Sequence, residues 1–127
     1  MNDCIIGIGS NIEADKNIPE MLKLLARDVE IVQVSQMVQT KPIGITGQPD
    51  FTNAAVRIHT EMERKTLSSY LKKLEDRMGR DQNREKFGPR NIDLDILIWN
   101  NTIVDPDYHT RDFLRNSAAE LGFDKNN

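Results

Sequence analysis

Two carboxylates stand within the most apolar run of the chain, the segment "GPRNIDLDILIW" at residues 88–99. Successive side chains of a β-strand point to opposite faces, so Asp93 and Asp95 share one face with Leu97 and Trp99. The other face carries the apolar residues between them, Ile92, Leu94, Ile96 and Ile98. A carboxylate away from water is costly unless it is paired. We therefore expect the two aspartates to meet a metal ion, an arginine or open solvent at a cleft.

A positively charged segment, residues 79–90, precedes this strand. Its four cationic and two acidic residues give a local charge of +2, and the cationic ones are Arg80, Arg84, Lys86 and Arg90. Arginine binds phosphate oxygens through paired hydrogen bonds, and carboxylates bind Mg²⁺. Carboxylates that face such a loop predict a site for a metal-bound polyphosphate. The early "GIGSN" resembles a phosphate-binding loop only superficially, because it lacks the lysine and the full glycine spacing.

The composition is that of one soluble domain spanning residues 1–127. Hydrophobic residues make up 38% and charged residues 29% of the chain, and the net charge is -3. This charge argues against a general nucleic-acid-binding surface. No apolar run approaches the roughly 20 residues of a membrane span, and no signal peptide is evident. We expect a cytoplasmic monomer with neither nucleic acid nor membrane as a partner.

Hydrophobic periodicity predicts the elements that position these side chains. Strands are predicted at residues 4–9, 29–38, 51–59 and 92–99. Helices are predicted at residues 17–28, with Pro19 in the first turn, and at residues 67–78, with Gly79 as the stop. A long loop at residues 39–50 holds two prolines and two glycines, and long ordered loops tend to be functional. The order βαββαβ predicts a ferredoxin-like α+β sandwich, an antiparallel sheet with both helices on one face.

Strand alternation decides which side chains face the predicted helices. If the helices cover the apolar sides of the third and fourth strands, then Phe51, Asn53, Asp93 and Asp95 point to the opposite face. Both long loops run into that same side. We expect this face to stay partly open and to carry the site.

Four blocks, "GIGSN", "TKPIGITGQPDFTNAAV", "LEDRMGR" and "GPRNIDLDIL", resemble the signature blocks of the 6-hydroxymethyl-7,8-dihydropterin pyrophosphokinase family. They occur in order over roughly residues 4–99. The resemblance implies a ferredoxin-like fold with a short C-terminal helical segment. It implies transfer of diphosphate from ATP to 6-hydroxymethyl-7,8-dihydropterin, with release of AMP, in folate biosynthesis. It also implies ATP and the pterin as small-molecule substrates, with two Mg²⁺ ions at the site.

The resemblance assigns the phosphate side of the site residue by residue. Asp93 and Asp95 match aspartates that hold Mg²⁺, and Arg80 and Arg90 match loop arginines that contact phosphate. It thereby implies a catalytic role for these residues. Further ATP contacts are implied for Glu75, Ile96 and Arg111.

The resemblance also assigns the pterin side. Phe51 and Phe113 match rings that sandwich the pterin, and Asn53 matches an amide that recognises its polar edge. Phe87 matches a lid aromatic that is usually tryptophan. Pterin contacts, largely through backbone groups, are implied for Thr40, Ile43 and Gly44.

Residues 100–112 depart from the family. This segment is shorter by several residues, and Asp107 follows Pro106 where the family has histidine. His109, nearby, is a candidate replacement. We expect the shortening to remove an outer hairpin while the family's late R-x-F, at residues 111–113, still returns to the site.

Other interpretations remain open. One is a catalytically impaired ferredoxin-like module that binds a nucleotide or a pterin. An RNA-binding α+β domain is another, although 6% aromatic residues and a negative net charge suit it poorly. Singly, Asp93 and Asp95 also fit an exposed strand face, and Phe51 and Phe113 also fit core packing.

Overall fold

The computed structural model describes residues 1–42, 47–79 and 91–124. Its strands are β1 (Asn2–Ser10), β2 (Glu30–Val34), β3 (Val38–Thr40), β4 (Phe51–Thr60), β5 (Asp93–Trp99) and β6 (Thr102–Ile103). Its helices are α1 (Ala14–Leu25), α2 (Arg64–Arg77), α3 (Asp107–Thr110) and α4 (Asp112–Glu120). Within these ranges no helix is long and apolar enough to cross a membrane.

The strands form one antiparallel sheet in the order β2-β4-β1-β5-β6, and β3 also pairs with β4. β1 occupies the centre, with β4 on one side and β5 on the other. The order β2-β4-β1-β5, with α1 after β1 and α2 after β4, is the predicted ferredoxin-like arrangement. The predicted α+β fold class is confirmed.

Helices α1 and α2 pack on one face of the sheet and enclose what we call the main core. Its residues from the strand side include Cys4, Ile6, Ile8, Ala54, Val56, Ile58, Ile92 and Leu94. Its helix residues include Ile18, Met21, Leu25, Leu67, Leu71, Leu74 and Met78. The helical spacings of three and four place these side chains on one face, as predicted. α2 ends at Arg77, and Gly79 follows with φ of 93° as the predicted stop.

The prediction that Pro19 lies in the first turn of α1 was wrong. The N–H groups of Lys16 and Asn17 donate to the Glu13 carbonyl, so the helix already begins at Ala14. Pro19 therefore lies in the second turn, where it removes one helical hydrogen bond.

The predicted strand at residues 29–38 is divided into β2 and β3. A register shift falls between Ile31 and Gln33, and Ile31 packs on the main core while Val32 is 44% exposed. At Ser35 the hydroxyl accepts a hydrogen bond from the Ala55 N–H, and the Ser35 N–H donates to the Ala55 carbonyl. This side-chain bond replaces a ladder bond, so regular pairing stops there and resumes at β3.

A β-bulge corrects the predicted faces at the end of β5. Ile6 pairs with Ile96 but Ile5 pairs with Ile98, which leaves Leu97 as the extra residue. The alternation therefore changes phase. Trp99 packs on the main core, and not on the face of the aspartates as predicted, whereas Ile98 lies on the opposite face.

The C-terminal helices cover part of the other face through what we call the second core. It consists of Ile5, Ala55, Leu97, Ile98, Tyr108, Leu114, Ala118 and Leu121. The end of α4 is held because Arg57 Nη1 donates to the Leu121 carbonyl at 3.1 Å. Glu120 accepts a hydrogen bond from the Gln36 N–H at 2.8 Å. The short C-terminal helical segment is confirmed, and it leaves open the half of the face near Gly9.

Candidate active site

The open half of the sheet is floored by glycine. Gly9 of β1 lies opposite Asn53 of β4 and opposite Asp93 of β5. Directly opposed side chains share a face, so Asn53 and Asp93 lie on either side of Gly9. Two strand spacings, about 10 Å, separate Asn53 from Asp93. In the next such row, Gly7 lies between Ala55 and Asp95. A Cβ at residue 7 would stand 3.3 Å from Leu97 Cδ1, so the Leu97 side chain fills the space over Gly7. The trough therefore lies over Gly9, with the Asn53 amide on one side and the Asp93 carboxylate on the other.

β3 brings three of the predicted pterin-side residues together. Thr40 lies opposite Phe51, and Asn53 Nδ2 donates to Thr40 Oγ1 at 2.6 Å. Asn53 is 9% exposed, whereas Phe51 is half-buried at the trough. The Asn53 amide oxygen and the Phe51 ring both lie beside Gly9, 3.4 Å and 3.7 Å from where a Cβ of residue 9 would stand. The alternation predicted for β4 is thus confirmed.

Three carboxylates gather along the first half of β5. Asp93 is half-buried and Asp95 is exposed, and both line a cleft of about 710 Å³ with Glu75 of α2. Glu75 is only 2% exposed, and its Oε2 accepts a hydrogen bond from the Leu94 N–H at 2.7 Å. The Glu75 carboxylate therefore binds the backbone of Leu94, the residue that separates Asp93 from Asp95.

These donors fit a cation that is shared with a phosphate ligand. Among the described residues, no group of three or more His, Cys, Asp or Glu is arranged to hold a metal ion. Mg²⁺ is commonly bound through one or two carboxylates together with substrate phosphates and water, so it does not need an all-protein cage. Asp93 and Asp95 supply hard oxygen ligands of the kind that such an ion prefers.

The cleft runs along the edge of β5, between α2 and the segment after β6. Its α2 wall includes Arg64, Ser68 and Lys72, which recur every four residues, and its far wall includes Asp105 and Pro106. None of these three α2 residues was predicted to belong to the site. The signal was present, because a spacing of four places polar residues on one stripe beside the buried one.

The late R-x-F returns to the face of the aspartates. Phe113 packs against the second core, whose strand residue Leu97 lies on that face. Arg111 precedes α4, and its Nη2 lies 3.6 Å from Asp107 Oδ2. His109 is exposed and its ring meets the Tyr108 ring edge-on at 5.3 Å. Neither Arg111 nor Phe113 is among the described residues that line the cleft, so the return of these two side chains to the site stays a prediction.

A hairpin persists in the shortened segment, contrary to the expectation that it would be lost. β5 and β6 are joined by Asn100 and Asn101, which have φ of 48° and 69°. Two consecutive positive φ angles are those of a tight type I′ turn, and asparagine tolerates them. The hairpin is therefore reduced to its shortest form.

Several predicted site residues lie outside the described residues: Ile43, Gly44, Arg80, Arg84, Lys86, Phe87 and Arg90. The residues that flank residues 80–90 are described. Asn91 Nδ2 donates to the Met78 carbonyl at 2.8 Å, so the chain leaves α2 and re-enters β5 at neighbouring points. The described residues on either side of the cationic segment, Gly79 and Asn91, therefore lie near Glu75 and Asp93.

Comparison with known protein families and proteins gives matches over most of the chain. A profile of the family described as 7,8-dihydro-6-hydroxymethylpterin-pyrophosphokinase matches residues 5–122. The 2-amino-4-hydroxy-6-hydroxymethyldihydropteridine pyrophosphokinase of Haemophilus influenzae is 31% identical over 130 residues, covering 94% of this chain and 81% of that protein. The Bacillus subtilis protein of the same name is 33% identical, covering 78% and 60%. A folate synthesis bifunctional protein of Arabidopsis thaliana is 37% identical over 99 residues, and the chain spans only 20% of its length.

Proposed function

Since the chain belongs to the 7,8-dihydro-6-hydroxymethylpterin-pyrophosphokinase family, we propose that it transfers diphosphate from ATP to 6-hydroxymethyl-7,8-dihydropterin and releases AMP. This reaction is a step of folate biosynthesis. The observation that carries the proposal is the row formed by Asn53, Gly9 and Asp93. Asn53 supplies an amide for a flat polar ring, and Asp93 supplies a carboxylate for metal-bound phosphate. Gly9 lies between them and leaves the space over the sheet open.

The pterin occupies the trough beside β3 and β4. Phe51 and Phe113 stack on its two faces, and Asn53 hydrogen-bonds its polar edge. The bond from Asn53 Nδ2 to Thr40 Oγ1 supports this role, because it orients the amide before the ligand arrives. We also propose that Ile43 and Gly44, which lie outside the described residues, contact the pterin through backbone groups.

ATP lies along the cleft beside β5. Leu94 donates its N–H outward to Glu75, so the backbone of Ile96, two residues further on, also faces the cleft. This orientation supports a contact between Ile96 and the base of ATP. Glu75 lines the same cleft.

The triphosphate reaches Asp93 and Asp95, which would hold two Mg²⁺ ions. When bound, these ions neutralise charge on the triphosphate and polarise the phosphoryl group. Arg80, Arg90 and Arg111 contact phosphate oxygens and offset the charge that develops during transfer. The protein thus acts chiefly by alignment and charge neutralisation, since phosphoryl-type transfer needs no covalent nucleophile.

A cytoplasmic monomer is part of the proposal. Size-exclusion chromatography with light scattering tests the monomer.

The test of the function is AMP release from ATP, measured with and without 6-hydroxymethyl-7,8-dihydropterin and Mg²⁺. We expect release that requires both, and a more than tenfold loss of kcat/KM in Arg111→Ala and Phe113→Ala. Release of ADP, or AMP release that does not need the pterin, would contradict the proposal. Binding of both substrates without AMP release would indicate the catalytically impaired module instead. If both variants match the wild type, another segment closes the site.

A further inference from the structure

Glu75 joins α2 to the strand that carries the aspartates. Its side chain lies in the α2 face that packs on β5, and only 2% of the residue is exposed. Oε2 accepts the hydrogen bond from the Leu94 N–H at 2.7 Å, a short distance typical of a charge-assisted bond. Leu94 itself is buried in the main core. Leu94, between the two aspartates, is therefore fixed by the packing of its side chain in the main core and by the hydrogen bond of its backbone to Glu75.

This hydrogen bond compensates for a missing strand partner. β6 pairs with Ile98 and Trp99, so in the described part of the chain the first half of β5 has β1 on one side and no strand on the other. Neighbouring N–H groups of a strand point to opposite sides, so the N–H groups next to that of Leu94 point toward β1. The Glu75 carboxylate thus takes the place of a strand at Leu94.

We propose that Glu75 is a positioning residue that fixes the backbone between Asp93 and Asp95, and so sets the spacing of their two carboxylates toward metal-bound phosphate. This inference rests on the proposed function and deepens it. Two carboxylates that share ions must stand at defined positions although like charges drive them apart. A buried anchor on a helix resists that motion better than an exposed strand edge does. Groups that orient metal ligands in this way commonly change metal affinity or activity by about 10- to 100-fold.

The test compares two replacements of Glu75 with a neighbouring control. Glu75→Met keeps the length of the side chain in a buried site but removes the acceptor oxygen. Glu75→Gln keeps an acceptor for the Leu94 N–H and removes the charge. Asp76→Ala is the matched control, since Asp76 is exposed on the same helix turn. Each variant is assayed by hydrogen exchange of the Leu94 amide without ligands, and by calorimetry with Mg²⁺ and a non-hydrolysable ATP analogue.

We expect Glu75→Met to speed exchange at Leu94 and to weaken binding of the Mg²⁺-analogue complex by about tenfold or more. Glu75→Gln should remain within about threefold of the wild type in both measurements, and Asp76→Ala should match the wild type. Unchanged Leu94 exchange in Glu75→Met, or a loss in Glu75→Gln as large as in Glu75→Met, would overturn the inference. Failure of the wild type to bind the analogue would instead refute the proposed function, and Leu94 exchange would still report on Glu75.

Discussion

Gly9 lies directly opposite Asp93 in the antiparallel pair of β1 and β5. A methyl group at residue 9 would stand 3.4 Å from Asn53 Oδ1 and 3.7 Å from Phe51 Cδ1, both ordinary contact distances. The fold therefore has room for a Cβ, but the trough between Asn53 and Asp93 does not stay open when it is there. A substitution at Gly9 can therefore change ligand binding without changing the stability of the fold.

Gly9→Ala should weaken pterin binding by about tenfold or more while leaving the free energy of unfolding unchanged or slightly increased, because alanine loses less backbone entropy than glycine on folding. The measurement is calorimetry with the pterin at a saturating concentration of Mg²⁺ and ATP analogue. Affinity for the analogue itself serves as the control. An unchanged pterin affinity would mean that the ring does not lie over Gly9.

Asp95→Ala should reduce kcat to less than a tenth of the wild-type value, a loss above about 1.4 kcal/mol of transition-state stabilisation. Its melting temperature without Mg²⁺ should stay close to that of the wild type, because the side chain is exposed and belongs to neither core. Steady-state kinetics and thermal unfolding check both statements, with the exposed Glu61→Ala as control. A variant that keeps more than a tenth of kcat would contradict the metal-binding role.

Lys72→Ala should weaken binding of the Mg²⁺-ATP analogue by about two- to fivefold, and the difference should shrink at high salt because the charge is exposed. Lys72 lines the cleft, whereas its exposed neighbour Lys73 is not among the lining residues. Lys73→Ala is therefore the matched control and should bind like the wild type. Equal effects of both substitutions would show that only the net charge of α2 matters.

Arg57→Ala should lower the free energy of unfolding by about 1 to 2 kcal/mol, a value reduced because the pair is about one-third exposed. Arg57 Nη2 lies 2.5 Å from Asp3 Oδ2, with side chains 33% and 39% exposed, and Nη1 caps the Leu121 carbonyl. The hydrogen bond with Asp3 raises the pKa of Arg57. Urea unfolding measures the loss, with exposed Arg27→Ala as control. Stability equal to that of the control would mean that the contacts of Arg57 with Asp3 and Leu121 add nothing measurable to the stability of the fold.

The thiol of Cys4 should resist alkylation in the folded protein at pH 8. Burial, with a smaller contribution from the charge of Asp3, raises the pKa of Cys4 from 9.0 to about 12. The thiolate therefore forms in the unfolded chain first, so the contribution of Cys4 to stability is fully present below pH 9 and is lost as the pH rises toward 12. Wild type should lose more stability than Cys4→Ala between pH 9 and 11. Parallel curves, or rapid alkylation without denaturant, would contradict this prediction.

The sequence by itself determined the faces of the strands at the site. Alternation over two residues places Phe51 with Asn53, and Asp93 with Asp95, because each pair depends only on local strand geometry. The order of strands and helices likewise predicted the ferredoxin-like sheet, since such connections permit few arrangements. The resemblance assigned ligands to these residues, and their roles stay predictions, as do those of Arg80 and Arg90 outside the described residues.

Tertiary structure decided the features that depend on partners distant in the chain. The bulge at Leu97, which turns Trp99 away from the aspartates, arises in the pairing of β5 with β1. The break at Ser35 depends on its bonds to Ala55. The hydrogen bond from the Leu94 N–H to Glu75 forms because packing brings α2 against an edge of β5 that pairs with no strand among the described residues. Hydrophobic periodicity along the chain cannot predict these contacts, because the free energy of an edge hydrogen bond or a bulge depends on the element that packs beside it.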